Sequence, residues 1–257
     1  MKSNKAFWVL FLLIGCLLLA ACANPGPDRR QRAKALRDLG REFLENRPRD
    51  ALRELLESLK INPKDPETHN LLALTYERLD RLDLATRHFK KALQLKPNYS
   101  EARNNMAVVL MKQNKWNAAI AQLMTISEDL LYPTPQIVDV NLGWAHFNLG
   151  QHDAASQAYR RTLDYYEKGL PQDNTYIIAL VGMGRTMLAL EETSAAVAHL
   201  NKAAVLVPNN PEIQYELGRA HAAAGNHATA RQAFQKVMQL APRTDLARKA
   251  RTAADGL

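Results

Sequence analysis

The fold is decided by residues 66–97, which read PETHNLLALTYERLDRLDLATRHFKKALQLKP. Large and small apolar side chains recur there four positions apart, as with Leu72 and Tyr76 and again with Ala85 and Phe89. This spacing predicts two amphipathic helices, because residues i and i+4 share one face of a helix. A pair of helices this short cannot bury its own apolar face, so the pattern also predicts similar pairs stacked on either side.

Seven positions of this stretch resemble the tetratricopeptide repeat, a helix-turn-helix unit of about 34 residues. They are Leu72, Ala73, Tyr76, Ala85, Phe89, Ala92 and Pro97. In this pattern the small residues let two helix backbones approach, the aromatic ring fills the space between them, and the proline ends the second helix. The resemblance implies an all-α fold of the tetratricopeptide-repeat α-solenoid class.

The small residue of the first helix recurs along the chain at intervals of 33, 34, 36, 41 and 34 residues. It is Gly40, Ala73, Ala107, Gly143, Gly184 and Gly218. We therefore predict one superhelical domain over residues 33–257, with six repeats and a polar capping helix. The repeats cover about residues 33–65, 66–99, 100–131, 136–167, 177–208 and 211–242, and the capping helix covers residues 244–257.

Composition limits the kinds of function. The chain has 257 residues, 47% of them hydrophobic, with 11 glycines and 12 prolines, which indicates a folded protein. Both cysteines lie within the first 22 residues, so the repeats hold no disulfide framework. The formal net charge is +8. Because the N-terminus predicts export, we expect acidic partners or anionic surfaces rather than nucleic acid.

The N-terminus resembles a bacterial lipoprotein signal peptide over residues 1–21. Lys2 and Lys5 precede an apolar run over residues 6–19, and the sequence Leu-Ala-Ala-Cys ends at Cys22. In a lipobox of this kind the cysteine thiol receives a diacylglycerol before cleavage. We predict lipidation of Cys22, with residues 22–32 as a tether. Ala23 then implies sorting to the periplasmic face of the outer membrane.

Two alternatives to this anchor stay open. Cys16 follows Leu-Ile-Gly and fits the lipobox loosely, but cleavage there leaves three leucines on the tether. An uncleaved membrane helix is disfavoured, because the apolar run is shorter than the ~20 residues that span a bilayer. After the tether, a basic cluster precedes repeat one and predicts either contact with anionic headgroups or a solvated helix face. It consists of Arg29, Arg30, Arg32, Lys34 and Arg37.

Two joints between repeats are longer than the others, at residues 130–135 and 168–175. Irregular loops on a regular scaffold often carry binding residues, so Leu131, Tyr132 and Pro133 are candidate contact residues. Together with the lipobox, Asn104-Asn105 and Asn141-Leu142-Gly143, this joint resembles the type IV pilus biogenesis lipoproteins of the PilF/PilW kind. The resemblance implies an outer-membrane lipoprotein that helps the secretin, the pilus exit pore, to assemble.

The sequence departs from that family in three places. Met106-Ala107 stands where Tyr-Gly is usual, the joint after repeat four is longer, and repeat one is more basic. These departures lie on surfaces that could contact a partner, and they leave the partner's identity open.

If the first helices of the repeats line the concave face, that face offers an apolar middle between basic flanks. Such a surface suits an extended or helical peptide. The candidate partner-binding residues are Arg37, Arg41, Asn70, Leu74, Asn104, Asn105, Val108, Met111, Asn141, Trp144, Phe147, Arg185, Tyr215 and Arg219. The alternative is that Trp144 and Phe147 pack against a neighbouring repeat and that the asparagines bond to local backbone.

The repeats contain none of the motifs that indicate catalysis. His146 and His152, like His221 and His227, are six residues apart, which places them on different helix faces, and no glutamate completes a metalloprotease motif. We therefore expect no enzyme activity, metal, cofactor or small-molecule substrate. The first hypothesis is a secretin assembly factor that binds protein, with the secretin subunit as the candidate partner. The alternative is a general periplasmic scaffold that recruits cell-wall enzymes or outer-membrane assembly components.

Overall fold

The computed structural model describes residues 26–127, 129, 132–169 and 171–257. The chain divides into two compact units, Met1–Gln113 and Asn114–Leu257, called here the N-terminal and the C-terminal unit. The predicted signal peptide, Cys22 and Leu131 lie outside the described residues. Among the described residues, no helix combines the length and apolar character that crossing a bilayer requires.

The described residues form α-helices and no strands. Those of the N-terminal unit are α1 Pro27–Phe43, α2 Pro48–Ile61, α3 Pro66–Arg78, α4 Leu82–Leu95 and α5 Ser100–Lys112. Those of the C-terminal unit are α6 Trp116–Ser127, α7 Pro135–Asn148, α8 His152–Glu167, α9 Asn174–Ala189, α10 Thr193–Leu206, α11 Pro211–Ala223, α12 His227–Leu240 and α13 Asp245–Asp255. Within each unit, consecutive helices pack as hairpins and each hairpin packs on the next. The prediction of a tetratricopeptide-repeat α-solenoid is confirmed.

Several helices begin at a proline. Proline occupies the first turn of α1, α2, α3, α7 and α11, where its missing N–H has no helical partner to lose. The prediction of a tether over residues 22–32 is therefore wrong for its last six residues. Helix α1 begins six residues before the predicted start of repeat one at residue 33, and residues 27–32 are helix rather than tether.

The small residues of the first helices pack directly on the second helices. A Cβ atom at Gly40 would lie 2.6 Å from Leu55, and one at Gly218 would lie 2.6 Å from Phe234. Carbon atoms in contact are normally about 3.5–4.0 Å apart, so these positions exclude any side chain unless the neighbour moves. Each hairpin is therefore held at a short interhelical distance by the residue that defines the period.

The turn inside most repeats places one residue in the left-handed region. These residues are Asp80, Asn114, Gly150, Glu191 and Gly225, with φ between +57° and +75°. Each follows the small residue of its own first helix by seven positions. Glycine adopts this conformation without cost, and asparagine and aspartate tolerate it. Glu191 is the member of the set that is strained there.

Candidate functional site

The candidate site is a groove in the C-terminal unit, between the first helices of three successive hairpins. Helices α7, α9 and α11 line it, and the second helix α8 contributes its base. The groove has a volume of about 410 Å³. Its lining residues are Val140, Asn141, Trp144, Tyr159, Ile177, Ile178, Val181, Gly182, Arg185, Asn210, Glu212 and Ile213.

The base of the groove is the ring of Tyr159, which is 1% exposed. Gly143 on α7 and Gly182 on α9 both contact this ring. A Cβ atom would lie 2.7 Å from the ring atom Cε1 if it were added at Gly143, and 2.5 Å from the same atom if it were added at Gly182. Burial raises the pKa of the Tyr159 phenol, and the charge of Arg185 opposes this shift. The phenol therefore stays neutral at physiological pH and provides a flat, largely apolar floor.

The walls of the groove carry large apolar side chains that solvent reaches. Trp144 is 38% exposed and Ile178 is 56% exposed. Ile178, Val181 and Arg185 are spaced i, i+3 and i+7, so they lie along one face of α9. Exposed aromatic and branched side chains on rigid helices favour binding of a partner's apolar side chains. The groove is thus chemically suited to apolar side chains.

Charged groups border the groove at α9 and α11. The Arg185 side chain donates to Glu216 at 2.9 Å, and Arg219 donates to the second oxygen of the same carboxylate at 2.8 Å. The Glu216 side chain is 8% exposed, so this carboxylate is buried between two guanidinium groups. Glu212 also lines the groove here, so two arginines face two carboxylates and no net charge remains; the remaining N–H groups of Arg185 and Arg219 can donate hydrogen bonds to a partner.

The structure brings together three of the predicted residues of this unit in the groove, namely Asn141, Trp144 and Arg185. Phe147 instead packs against the buried cluster around α9, with its ring 6.4 Å from that of Trp144. Tyr215 packs on Phe234 at 5.7 Å and lines a different cleft beside α13. The groove also uses Ile178, Val181 and Ile213, which sequence reasoning missed. The i, i+3, i+7 spacing of Ile178, Val181 and Arg185 on α9 signals the first two, and no such spacing signals Ile213 on α11.

The predicted residues of the N-terminal unit are mostly engaged within the protein. Arg37 bonds to Asp65 at 3.1 Å and to Glu67 at 2.8 Å, and Arg41 is exposed beside Asp38 at 3.3 Å. Leu74 packs against the buried cluster of α2 and α3.

Burial separates the other five residues predicted in this unit. Asn105 and Val108 are half-buried. Asn70 is 2% exposed and donates to the Tyr99 hydroxyl at 3.3 Å, and Asn104 and Met111 are also buried. These three side chains are inaccessible to a partner, because the chain itself already covers them. Their role as direct contacts is corrected to one in the packing of the unit.

The joint between α6 and α7 borders a second cavity of about 470 Å³. Tyr132 is half-buried, lines this cavity and donates its N–H to the Asp129 carbonyl at 3.1 Å, whereas Pro133 is exposed. The exposed side chain of Met124, at 55%, lies in the same cavity. The joint after α8 is ordered by Asp173, whose carboxylate accepts the N–H groups of Thr175 at 2.7 Å and Tyr176 at 3.3 Å.

Histidines were the other candidates for chemistry. Among the described residues, no group of three or more His, Cys, Asp or Glu side chains could hold a metal ion. His146 Nδ1 bonds to the side chain of Gln151 at 2.7 Å, and the ring of His152 contacts that of Phe147 at 5.4 Å. His221 is buried, and burial lowers its pKa. These histidines are parts of the repeat packing.

His69 and His88 form a pair in the N-terminal unit, with their Nδ1 atoms 3.1 Å apart. His69 Nε2 lies 3.1 Å from the Pro63 carbonyl, which only accepts, so this nitrogen carries the proton. His69 Nδ1 is then the acceptor and His88 Nδ1–H the donor. Burial lowers the pKa of both rings, that of His88 to about 4. The pair is neutral at pH 7.

Comparison with known proteins gives relatives that act in pilus biogenesis. The chain is 25% identical over 168 residues to the type IV pilus assembly protein PilF of Pseudomonas aeruginosa PAO1, which covers 62% of this chain and 66% of that protein. The crystal structure of PilW, a widely conserved type IV pilus biogenesis factor, superposes with a TM-score of 0.76 at 22% identity, over 84% of this chain and 97% of PilW.

The structure of Pseudomonas aeruginosa PilF superposes with a TM-score of 0.73 at 20% identity, over 88% of this chain and 99% of that one. These two structural likenesses establish a shared fold. Tetratricopeptide-repeat family models match residues 31–100 and 181–243 with one model, just over half of the chain, and residues 78–130 and 140–175 with two others. With the helical hairpins, their period and their small-residue contacts, these matches show that the chain belongs to the tetratricopeptide-repeat family.

Proposed function

We propose that this protein assists type IV pilus biogenesis as a lipid-anchored outer-membrane protein, and that it acts by binding another protein through the groove of the C-terminal unit. The observation that carries the binding role is the pair of solvent-exposed side chains, Trp144 and Ile178, above the buried ring of Tyr159. Similarity to PilF and PilW supports the place of the protein in pilus biogenesis. The candidate partner is a segment of the pilus secretin subunit.

The chemistry of the groove defines the segment that it accepts. Its apolar walls bury one or two bulky side chains, and the remaining N–H groups of Arg185 and Arg219 donate to an acceptor oxygen of the partner. A short amphipathic segment with an apolar side chain close to a hydrogen-bond acceptor satisfies both requirements. The membrane anchor would be Cys22, and a Cys22→Ser protein that still fractionates with the outer membrane would contradict that part of the proposal.

The groove is tested by placing a charge on its wall. Ile178→Asp puts a carboxylate where an apolar side chain of the partner would be buried, and we expect a loss of about 2 kcal/mol, roughly a 30-fold weaker Kd. Val205→Asp is the matched control, because Val205 is 80% exposed and is not among the groove residues. Both substitutions are on exposed helical positions and should leave the helical content unchanged.

The readout is the amount of secretin multimer in the outer membrane, measured on gels that keep the ring intact, together with pull-down of the secretin by the mature protein. We expect both to fall for Ile178→Asp and to stay at the wild-type level for Val205→Asp. If deletion of the gene leaves the secretin multimer at its wild-type level, the pilus role is wrong. If Ile178→Asp instead weakens binding of cell-wall enzymes, the general scaffold is the correct function.

A further inference from the structure

Helix α1 is longer than its repeat requires. The first helices α3, α5 and α11 each begin seven residues before their small residue, at Ala73, Ala107 and Gly218. Helix α1 begins thirteen residues before Gly40. The additional residues 27–32 are all exposed, and the first buried residue of the helix is Ala33. No packing within the described residues therefore accounts for this extension.

The extension is strongly basic. Arg29, Arg30, Arg32 and Lys34 are exposed, and Asp28 is the one acidic residue among residues 27–34. At about 100° per residue, the four cations cover an arc of roughly 200° around the helix. Basic side chains in the first turns of a helix oppose its macrodipole, so these charges do not stabilise the helix that carries them. For the exposed side chains of Arg29, Arg32 and Lys34, a partner outside the repeat is the remaining explanation.

The chain that precedes the extension indicates what this partner is. Only four residues lie between Cys22, the proposed point of lipid attachment, and Pro27, which makes five Cα–Cα steps. A fully extended segment of that length reaches about 18 Å at most. The four cations are thus held close to the bilayer surface, where the effective concentration of lipid headgroups is high. An anionic phospholipid surface has the complementary charge and extends around more than one side of a helix.

We propose that residues 27–34 bind anionic phospholipid headgroups and thereby fix the orientation of the N-terminal unit at the membrane. This inference rests on the lipid anchor of the proposed function, and it adds a second, electrostatic membrane contact to it. The contact depends on salt, because charges at a surface are screened beyond about 10 Å at 0.1 M ionic strength and beyond about 4 Å at 0.5 M.

Lys34 provides a native reporter of this contact. The full mature protein, purified with its lipid, is reconstituted in vesicles of phosphatidylcholine alone or with about 30% phosphatidylglycerol. Lysines are acylated with an uncharged reagent, and the rates are measured by mass spectrometry. We expect acylation of Lys34 to be several-fold slower on the anionic vesicles at low salt and equal on both at high salt. Lys249, exposed on α13, is the internal control and should react alike on both.

The matched variants remove three arginines each. Arg29, Arg30 and Arg32 are changed to Gln in one, which should abolish the protection of Lys34. Arg243, Arg248 and Arg251, all exposed near the C-terminus, are changed to Gln in the other, which should preserve it. Because residues 29, 30 and 32 bury nothing, the first variant should keep the wild-type circular dichroism spectrum, and this is checked.

Equal acylation of Lys34 on both vesicles at low salt would overturn the proposal, as would protection that survives the loss of Arg29, Arg30 and Arg32. Protection on both vesicles would also overturn it and would indicate that protein covers the extension. Failure of the anchor is recognised separately, by the mass of the Cys22 peptide. If that peptide carries no lipid, the same chain is sedimented with the two vesicles, and absence of salt-sensitive binding to the anionic ones refutes the headgroup contact.

Discussion

Gly182→Ala should destabilise the C-terminal unit, because the new methyl group meets the ring of Tyr159. The Cβ atom would lie 2.5 Å from Cε1 and 2.7 Å from the hydroxyl oxygen. These distances are about 1 Å shorter than an ordinary contact, so the buried ring or helix α9 must move. Overpacking of this kind costs about 1–3 kcal/mol, and with several ring atoms involved we take the upper end.

Alanine also favours the helix, by about 1 kcal/mol relative to glycine. The net expectation for Gly182→Ala is therefore a loss of about 2 kcal/mol. Tyr159→Leu separates the two effects, since leucine lacks the Cε, Cζ and hydroxyl atoms that meet the Gly182 position. In the Tyr159→Leu background, Gly182→Ala should become neutral or stabilising by up to about 1 kcal/mol.

The assay is urea unfolding followed by tryptophan fluorescence. Trp116 and Trp144, the tryptophans of the described residues, both lie in the C-terminal unit, so the signal reports on the unit that is changed. Gly26→Ala is the control, because a Cβ atom there meets nothing within 4 Å. If Gly182→Ala costs the same in the wild-type and the Tyr159→Leu backgrounds, the contact between Gly182 and the ring is not the cause and the reasoning fails.

Two further predictions concern the pH response and a turn. The folded pKa of His88, about 4, lies below the unfolded value of ~6.5, so the unfolded chain binds more protons between these two pH values. The free energy of unfolding therefore falls as the pH falls through this range. His88→Asn keeps a donor near His69 but cannot titrate. Between pH 7 and about 5, we expect the free energy of unfolding, measured by urea titration, to decrease by roughly 1 kcal/mol less in the variant than in the wild type; the value is small because His88 is only half-buried. An equal decrease in both proteins would exclude His88 as a source. Glu191→Gly should raise the free energy of unfolding by about 1 kcal/mol, because Glu191 has φ +62°, whereas Glu192→Gly, at φ −81°, should lower it; equal changes would contradict the role of φ.

The repeat architecture could be predicted from the sequence because its determinants are local and recur. Small residues such as Gly40 and Gly218 recur at a period near 34 and predict a close approach of two helices, which the structure confirms. The turn residues obey the same period, and their glycines and Asn114 are typical of left-handed positions. By contrast, the start of α1 was misplaced, because a proline is read as a helix breaker unless its position in the first turn is known.

The groove was only partly predictable. Trp144 and Arg185 were found because aromatic and arginine residues on a first helix suggest a binding surface. Ile178 was missed, since an isoleucine beside another isoleucine is normally assigned to the core, and its 56% exposure depends on how α7, α9 and α11 are spaced. Asn70 and Asn104 show the converse error, because a polar residue on the expected face can be buried by its neighbours. Exposure is a property of packing, which periodicity alone does not give.

The packing of the Tyr159 ring against Gly143 and Gly182 has a consequence for which ligand side chains the groove accepts. Because two helix backbones contact this aromatic ring, it cannot rotate away from a ligand, and the groove above it has one fixed depth. The affinity of a ligand should accordingly depend on the length of the side chain that it inserts, and should drop sharply once that side chain is long enough to collide with the ring.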